Sequence, residues 1–300
     1  MKTFVVGHRG MLAQSLPLML ERSGFTVMTQ GRPDVDLTHT ASMSQALTTI
    51  RPDIVINAAA YTAVDQAESE PEQAYAVNGH GIQHLSETCR ELGMPLIHVS
   101  TDYVFDGTSR TPYCEDDTPA PLGVYGASKW QGEAALRTRH PQHLIVRTAW
   151  LYSHSGHNFV KTMLRLGRER DVLRVVDDQH GCLTYSLDLA EAIATMCQRI
   201  RHDKSTTPWG TYHFCSAGQT TWYEFAVAIF EEAKAFEPFR VREIIPIPTT
   251  DYPTPARRPA YSVLDCSKIQ SHFGITPRPW RDSLRACLQE LYTCTLPETF

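Results

Sequence analysis

Tyr125 and Lys129 stand four residues apart in a stretch, 125–139, that suits a helix, and at that spacing two side chains share one helical face. A free phenol loses its proton near ~10, and a neighbouring ammonium stabilises the phenolate and lowers that value. The pair therefore reads as a general acid toward a carbonyl oxygen that is receiving hydride, although an ordinary surface pair shows the same spacing. Thr101, in Ser100-Thr101-Asp102-Tyr103 at the end of an apolar run, offers a hydroxyl to the same oxygen.

A second group of residues would hold the hydride donor. Gly7-His8-Arg9-Gly10-Met11-Leu12-Ala13 follows a short apolar run and opens a helical one. Glycine permits a tight turn and close approach of the backbone to a pyrophosphate, and a helix N-terminus presents free amides to it. An ordinary βα turn also contains glycine, so the N-terminal strand–turn–helix setting is what raises the dinucleotide reading. The second strand ends near Gln30-Gly31-Arg32. It lacks the acidic residue that usually binds the ribose hydroxyls of NAD, and Arg32 either meets a 2′-phosphate or is a solvated loop arginine. This favours NADPH over NADH. Asp36-Leu37 suits the edge and face of an adenine. Asn57-Ala58-Ala59-Ala60 has small side chains that let a cofactor approach the backbone, or that simply pack tightly.

These residues must be carried by alternating strands and helices. Strands are expected at 3–6, 25–29, 53–60, 95–100 and 143–148, and helices at 11–22, 42–50, 71–92 and 125–139. Such alternation implies a parallel sheet with right-handed crossovers. The expected fold is α/β, a Rossmann-type doubly wound parallel sheet with a smaller, mostly C-terminal α/β substrate domain. Residues 1–152 form the dinucleotide-binding domain and 171–205 return to it. Residues 206–300 form the main part of the substrate domain, with 153–170 contributing. Proline and aromatic residues crowd the C-terminal part, as in Ile245-Pro246-Ile247-Pro248, and a cap of that kind would enclose a ligand at the carboxyl ends of the strands. Trp150, just past the last strand of the first half, is either a substrate contact there or a core aromatic.

Composition narrows the function classes. The 300 residues are 42% hydrophobic and 20% charged, with formal charge −5, which speaks against disorder and against a nucleic-acid partner. No apolar run is long enough to span a membrane, and the N-terminus has no secretory pattern, so a cytoplasmic protein is expected. The eight cysteines include no Cys-x-x-Cys pair and the thirteen histidines no His-Glu-x-x-His. No metal site is predicted.

With these motifs in place, the chain resembles the extended short-chain dehydrogenase/reductases, and within them the dTDP-4-dehydrorhamnose reductase family, from the first strand to about Leu288. The resemblance is carried by residues 57–68, Ser100-Thr101-Asp102-Tyr103-Val104-Phe105-Asp106-Gly107, Val124-Tyr125-Gly126-Ala127-Ser128-Lys129 and Arg147-Thr148-Ala149-Trp150-Leu151-Tyr152. Asn158-Phe159-Val160, Asp178-Gln179-His180-Gly181, Trp222-Tyr223-Glu224-Phe225 and Arg258-Pro259-Ala260-Tyr261-Ser262 extend it. It implies Thr101, Tyr125 and Lys129 as the catalytic set. It implies cofactor contacts from Gly7, Gly10, Met11, Leu12, Asp36, Leu37, Ala58, Ala59, Ala60, Tyr61, Thr62 and Val99, besides Gln30 and Arg32. Asp102, Tyr103 and Trp150 would contact a nucleotide-linked deoxysugar, with Arg257 or Arg258 on its diphosphate; for Asp102 a turn role stays open. A homodimer and an interfacial magnesium ion follow from the resemblance alone. Ala13 replaces the usual third glycine, Leu183 stands where proline is usual, and Tyr261 stands where asparagine is common. These departures leave the reaction class intact and leave open a reductase of another nucleotide-linked 4-ketosugar. A non-catalytic regulatory subunit of the same fold, and an epimerase that keeps its NAD bound, are the other readings.

Overall fold

A computed structural model describes residues 1–295. Six strands form one parallel sheet: β1 (Lys2–Val6), β2 (Thr26–Gln30), β3 (Ile54–Asn57), β4 (Leu96–Thr101), β5 (His143–Thr148) and, much later in the chain, Gly210–His213. Their order is Gly210–His213, β5, β4, β3, β1, β2. Both faces of the central strands are covered, so these strands are near-continuous apolar runs, as parallel sheets require. On one face α1 (Met11–Arg22) packs with the later helix Ser186–His202, burying Leu12, Leu16, Leu20, Leu189 and Ile193 against Val5, Ile54 and Ile97. On the other face α2 (Thr40–Ile50), the helical run from residue 71 and the helix Val124–Arg139 bury Met43, Leu47, Ile82, Leu85 and Leu136 against Phe4, Val55 and Ile145. The chain passes from β1 to β2 on one side and to β3 on the other. This reversal opens a crevice between the carboxyl ends of β1 and β3, where ligands bind in open α/β sheets.

Two expected elements change in ways that bear on the site. The third strand stops at Asn57 rather than at residue 60. Ala58 still donates to the Val6 carbonyl at 3.0 Å, but the chain then turns over the crevice. The helix expected over 71–92 is continuous but carries a π-helical turn. After the short helices α3 (Val64–Ala67) and α4 (Pro71–Tyr75) comes a π-helical turn, Ala76–His80, and then α5 (Gly81–Glu91). The turn faces Asn78 inward. Its Oδ1 accepts from the Tyr61 amide at 2.9 Å, and its Nδ2 donates to the Tyr61 carbonyl and to Ser128 Oγ, both at 3.0 Å. A wide turn at a functional position is a known use of π geometry.

α6 (Val124–Arg139) leads to β5, which is followed by β6 (Leu151–Tyr152), α7 (Phe159–Glu169) and β7 (Val172–Val176). β8 (His180–Gly181), β9 (Thr184–Tyr185), α8 (Ser186–His202) and β10 (Gly210–His213) come next. β11 (Thr220–Thr221), α9 (Trp222–Ala233), β12 (Glu243–Ile247), α10 (Ser267–Phe273) and α11 (Trp280–Thr295) complete the chain. The division between the layers differs from the expected one at both ends. β7 does not return to the main sheet but pairs in parallel with β12. One face of this small sheet is covered by the cap's own core, which includes Val160, Leu164, Phe225 and Ile229. Conversely β10, placed after the boundary at 206, is the edge strand beside β5. α8 does pack on the sheet, as expected.

Candidate active site

Gly7 closes the turn after β1 with φ +110°, a backbone conformation that side-chain-bearing residues rarely adopt. A Cβ there would also come within 3.3 Å of the Ala59 amide nitrogen, so only glycine lets the ends of β1 and β3 meet. A Cβ at Gly10 would meet nothing within 4 Å. Gly10 precedes Met11 without a side-chain cap, and the first turn of α1 carries no acidic residue. Its first amides are therefore unpaired and its positive dipole end is uncompensated, the setting that an anion such as a pyrophosphate completes. Gln30 ends β2 and its carbonyl accepts from the Gly7 amide at 2.6 Å. Arg32 is exposed and lies near Asp36. Burial acts against the charged form of Asp36, but the amide and hydroxyl of Thr38, each at 2.8 Å, and Arg32 hold its carboxyl below the usual range. Leu37 is buried, while Ala58, Ala59, Ala60 and Tyr61 line the turn after β3 and Thr62 is exposed. The turns after β1 and β3 and the residues that follow β2 thus surround one crevice and fit a dinucleotide phosphate.

Thr101 ends β4 and caps a short 3₁₀ turn, Asp102–Val104. Its Oγ1 accepts from the Tyr103 amide at 3.2 Å and donates to Asp102 Oδ1 at 3.1 Å. The first turn of α6 lies directly on this segment. A Cβ at Gly126 would be driven into the Tyr103 carbonyl, and the Tyr103 and Tyr125 rings meet edge to face at 5.9 Å. Glu68 fixes the helix start by accepting from the Val124 amide at 2.8 Å. Burial and the Asp102 carboxylate push the Tyr125 phenol up to about 12, against the opposing pull of the Thr101 hydroxyl. This reverses the lowered value expected from the Tyr-x-x-x-Lys spacing. Lys129 shares the helical face, but its Nζ turns to the sheet and donates to the Val99 carbonyl at 2.7 Å. Burial brings Lys129 down to about 8, with Glu133 opposing. Burial also raises Asp102 to about 6, while Ser262 and Thr101 favour its charged form. The arrangement is a loaded phenol, a hydroxyl beside it and a buried amine one turn away, at the carboxyl end of β4. It can protonate an oxygen at neutral pH.

Trp150 follows β5 with φ +44° and is partly exposed. Trp222 covers one face of its indole, stacked at 3.8 Å and 9°. Trp222 meets Phe159 at 4.7 Å, and its Nε1 donates to Gln179 at 3.2 Å. This aromatic row reaches a cavity of about 510 Å³ that sequence reasoning did not assign. Its walls combine Leu166, Leu173 and Trp222 with Arg165, Arg170 and Arg174. Arg258 lines it too, but its guanidinium is already held by Asp65, at 3.1 and 2.8 Å. The cavity was signalled by three arginines on and after an amphipathic helix. Asn78 had no signal beyond a buried position in a helical run. Val99, expected at a cofactor, spends its carbonyl on Lys129. Of the departing residues, Leu183 is buried in the cap's core and Tyr261 lies tilted against Tyr113 at 6.5 Å. Among the described residues no cluster of three or more histidine, cysteine or acidic side chains could hold a metal ion, and no helix is long and apolar enough to cross a membrane.

The family model described as the RmlD substrate binding domain matches residues 1–293. The dTDP-4-dehydrorhamnose reductase of Sinorhizobium fredii (strain NBRC 101917 / NGR234) is 42% identical over 285 residues, 95% of this chain and 96% of that one. Among solved structures, a dTDP-4-dehydrorhamnose reductase from Clostridium acetobutylicum ATCC 824 has a TM-score of 0.89 at 35% identity, covering 97% of this chain and 99% of that one. The enzyme of the same name from Bacillus anthracis str. Ames, solved in complex with NADP, has a TM-score of 0.88 at 36% identity, covering 96% and 99%.

Proposed function

The chain belongs to the dTDP-4-dehydrorhamnose reductase family, and from that premise we propose that it reduces the C4 ketone of dTDP-4-dehydro-6-deoxy-L-mannose to dTDP-L-rhamnose, using NADPH. The observation that carries this reading is the meeting of Thr101, Tyr125 and Lys129 at the carboxyl end of the sheet that also bears the Gly7–Met11 turn. NADPH supplies the hydride when bound. Gly7, Gly10, Met11 and Leu12 would hold its pyrophosphate, Asp36 and Leu37 its adenine, residues 58–62 its inner half and Lys129 its nicotinamide ribose. Tyr125 gives its proton to the C4 oxygen as negative charge develops there, and Thr101 donates a hydrogen bond to the same atom. Asp102 and Trp150 bound the deoxysugar. The 510 Å³ cavity suits the dTDP. Its apolar wall and Trp222 fit a base, and Arg170 offers a planar fork to phosphate oxygens, while Arg165 and Arg174 would exchange their exposed partners Glu169 and Asp251, each at 3.0 Å, for them.

The direct test supplies dTDP-4-dehydro-L-rhamnose with NADPH and with NADH, and identifies the sugar formed. Oxidation of neither cofactor defeats the proposal, and turnover of a different ketosugar in preference identifies the other reductase reading. Arg32 is close enough to Asp36 to act on its carboxyl and free enough to meet a 2′-phosphate. Arg32→Ala should therefore lower kcat/KM for NADPH several-fold, the worth of one exposed charged contact of under ~1 kcal/mol, and leave that for NADH nearly unchanged. Equal losses with both cofactors would remove Arg32 from phosphate recognition.

A further inference from the structure

Lys129 is gripped from the sheet as well as from its own helix. Besides its bond to the Val99 carbonyl, its Nζ lies 3.4 Å from Nε2 of His98, in the middle of β4. His98 is completely buried between Ile97 and Val99, and Asn57, at the end of β3, is equally buried. Asn57 Nδ2 meets His98 Nδ1 at 2.9 Å. The Asn57 amide fits only one way round. Its Oδ1 accepts from the Ala59 amide at 3.2 Å, and its Nδ2 faces the Ala59 carbonyl at 3.2 Å. Turning it over would set donor against donor and acceptor against acceptor. Nδ2 therefore donates to Nδ1, and a neutral imidazole so engaged must carry its hydrogen on Nε2. That N–H points at Lys129. Two donors repel while the lysine is an ammonium; once it is an amine, its lone pair accepts.

We propose that His98 is a positioning residue for the reduction: Asn57 locks it in the Nε2–H tautomer, and that N–H, aimed at Lys129, lowers the pH at which the lysine gives up its charge. The proposal rests on the reading of Lys129 as part of the catalytic set. The ring does not pass a proton onward, because Asn57 fills its other nitrogen. It also stays neutral. Burial, the lysine beside it and His143 on β5 all hold its pKa well below the ordinary value. From α6, Glu133 acts the opposite way on Lys129, one turn on. Its carboxylate is bound to Arg147 at 2.8 Å and Arg137 at 3.0 Å, which spends part of its charge elsewhere. Tyr125, the remaining titratable group on that face of α6, is neutral through the range in question. Burial already brings the Lys129 value down, and the His98 N–H acts in the same direction.

The chain has six lysines, so ¹³C-lysine labelling of the full-length protein can follow Lys129 directly, its signal assigned with Lys129→Arg. In His98→Leu the Lys129 midpoint should rise by about one pH unit, a tenfold gain in proton affinity. The alkaline limb of kcat should rise with it. His98→Gln, whose amide can turn its oxygen to the lysine, should move the midpoint at least as far. A merely structural role would lower Tm and kcat at every pH without moving either midpoint, and an unmoved Lys129 midpoint in a folded variant overturns the proposal. In the unaltered protein, ¹⁵N-histidine spectra should show a non-titrating ring protonated on Nε2. A ring protonated on Nδ1 overturns the proposal whether or not the variants fold. If the Lys129 midpoint moves and the kcat limb does not, the effect of His98 on Lys129 stands and the catalytic reading of Lys129 fails.

Discussion

At the residue scale, the two groups of the Tyr-x-x-x-Lys pair depart from their ordinary values in opposite directions, the phenol up to about 12 and the amine down to about 8. Near pH 7 the acid therefore holds its proton and the lysine its charge, the combination a reduction needs. Tyr125→Phe keeps the ring against Tyr103 but removes the proton, so kcat should fall by ~10²–10⁴-fold while NADPH Kd, read by fluorescence titration, stays within a factor of a few. A variant with unchanged kcat would take Tyr125 out of the mechanism. Asp102 gives a stability test. Its folded value, about 6, lies above the ordinary 3.8. Its contribution to stability is thus fully present below about 4 and is lost as pH rises through about 6. Asp102→Asn should unfold at a higher temperature than the parent at pH 8, by an amount equivalent to ~2–3 kcal/mol, and this advantage should vanish near pH 3.5. A pH-independent difference in Tm would show that the carboxylate is not carrying a burial penalty. The spacing 125/129 revealed the pair. It did not reveal the direction of either shift, because both come mainly from burial of the two side chains, with Asp102 adding to the rise of the phenol, and burial is not written in the spacing.

Elements set the distances between these groups. α6 carries Tyr125 and Lys129, and Gly126 brings its first turn onto the Asp102–Val104 turn. Gly126→Ala should push the helix off that turn. We expect kcat to drop by ~10–100-fold, since a displacement near 1 Å costs about that much, with a smaller change in NADPH binding. An unaltered kcat would mean that α6 has slack at its start. The first five strands were legible because each is a short apolar run closed by a turn signal. The π-helical turn was not, since Ala76–His80 has helical composition and only the docking of Asn78 on Tyr61 and Ser128 distinguishes it. β10 also escaped notice. Gly-Thr-Tyr-His has little apolar character, and it becomes a strand because β5 offers a free edge. His98 was legible in principle, as an imidazole in the middle of an otherwise apolar strand.

At the scale of the whole molecule, sheet and cap meet around the proposed substrate site, and Arg258 ties them together. Its bidentate pair with Asp65 joins the cap segment 254–258 to α3, and the guanidinium together with the Ala256 amide holds the Asp65 carboxyl below its usual range. The pair is partly exposed, so its removal should cost under ~1 kcal/mol of stability. Its effect belongs instead to the wall of the cavity. Asp65→Asn should raise the nucleotide-sugar KM several-fold and shift Tm by no more than ~2 °C; a large fall in Tm with an unchanged KM would make the pair a fold contact only. Sequence boundaries between the layers were the least legible feature, because β7 and β10 exchange the places that chain order suggests. That exchange has a consequence for synthesis. β5 ends at Thr148, but its outer neighbour begins only at Gly210. At roughly 5–20 residues per second, a ribosome leaves that strand uncovered for on the order of 3–12 s. During that interval α1 also lacks its partner α8 until residues 186–202 emerge. A nascent chain stalled between β5 and α8 would expose an unpaired edge and an apolar helix face together. Release of such stalled chains, compared with chains stalled beyond β10, should show selective capture of the shorter ones by chaperones that bind extended apolar segments.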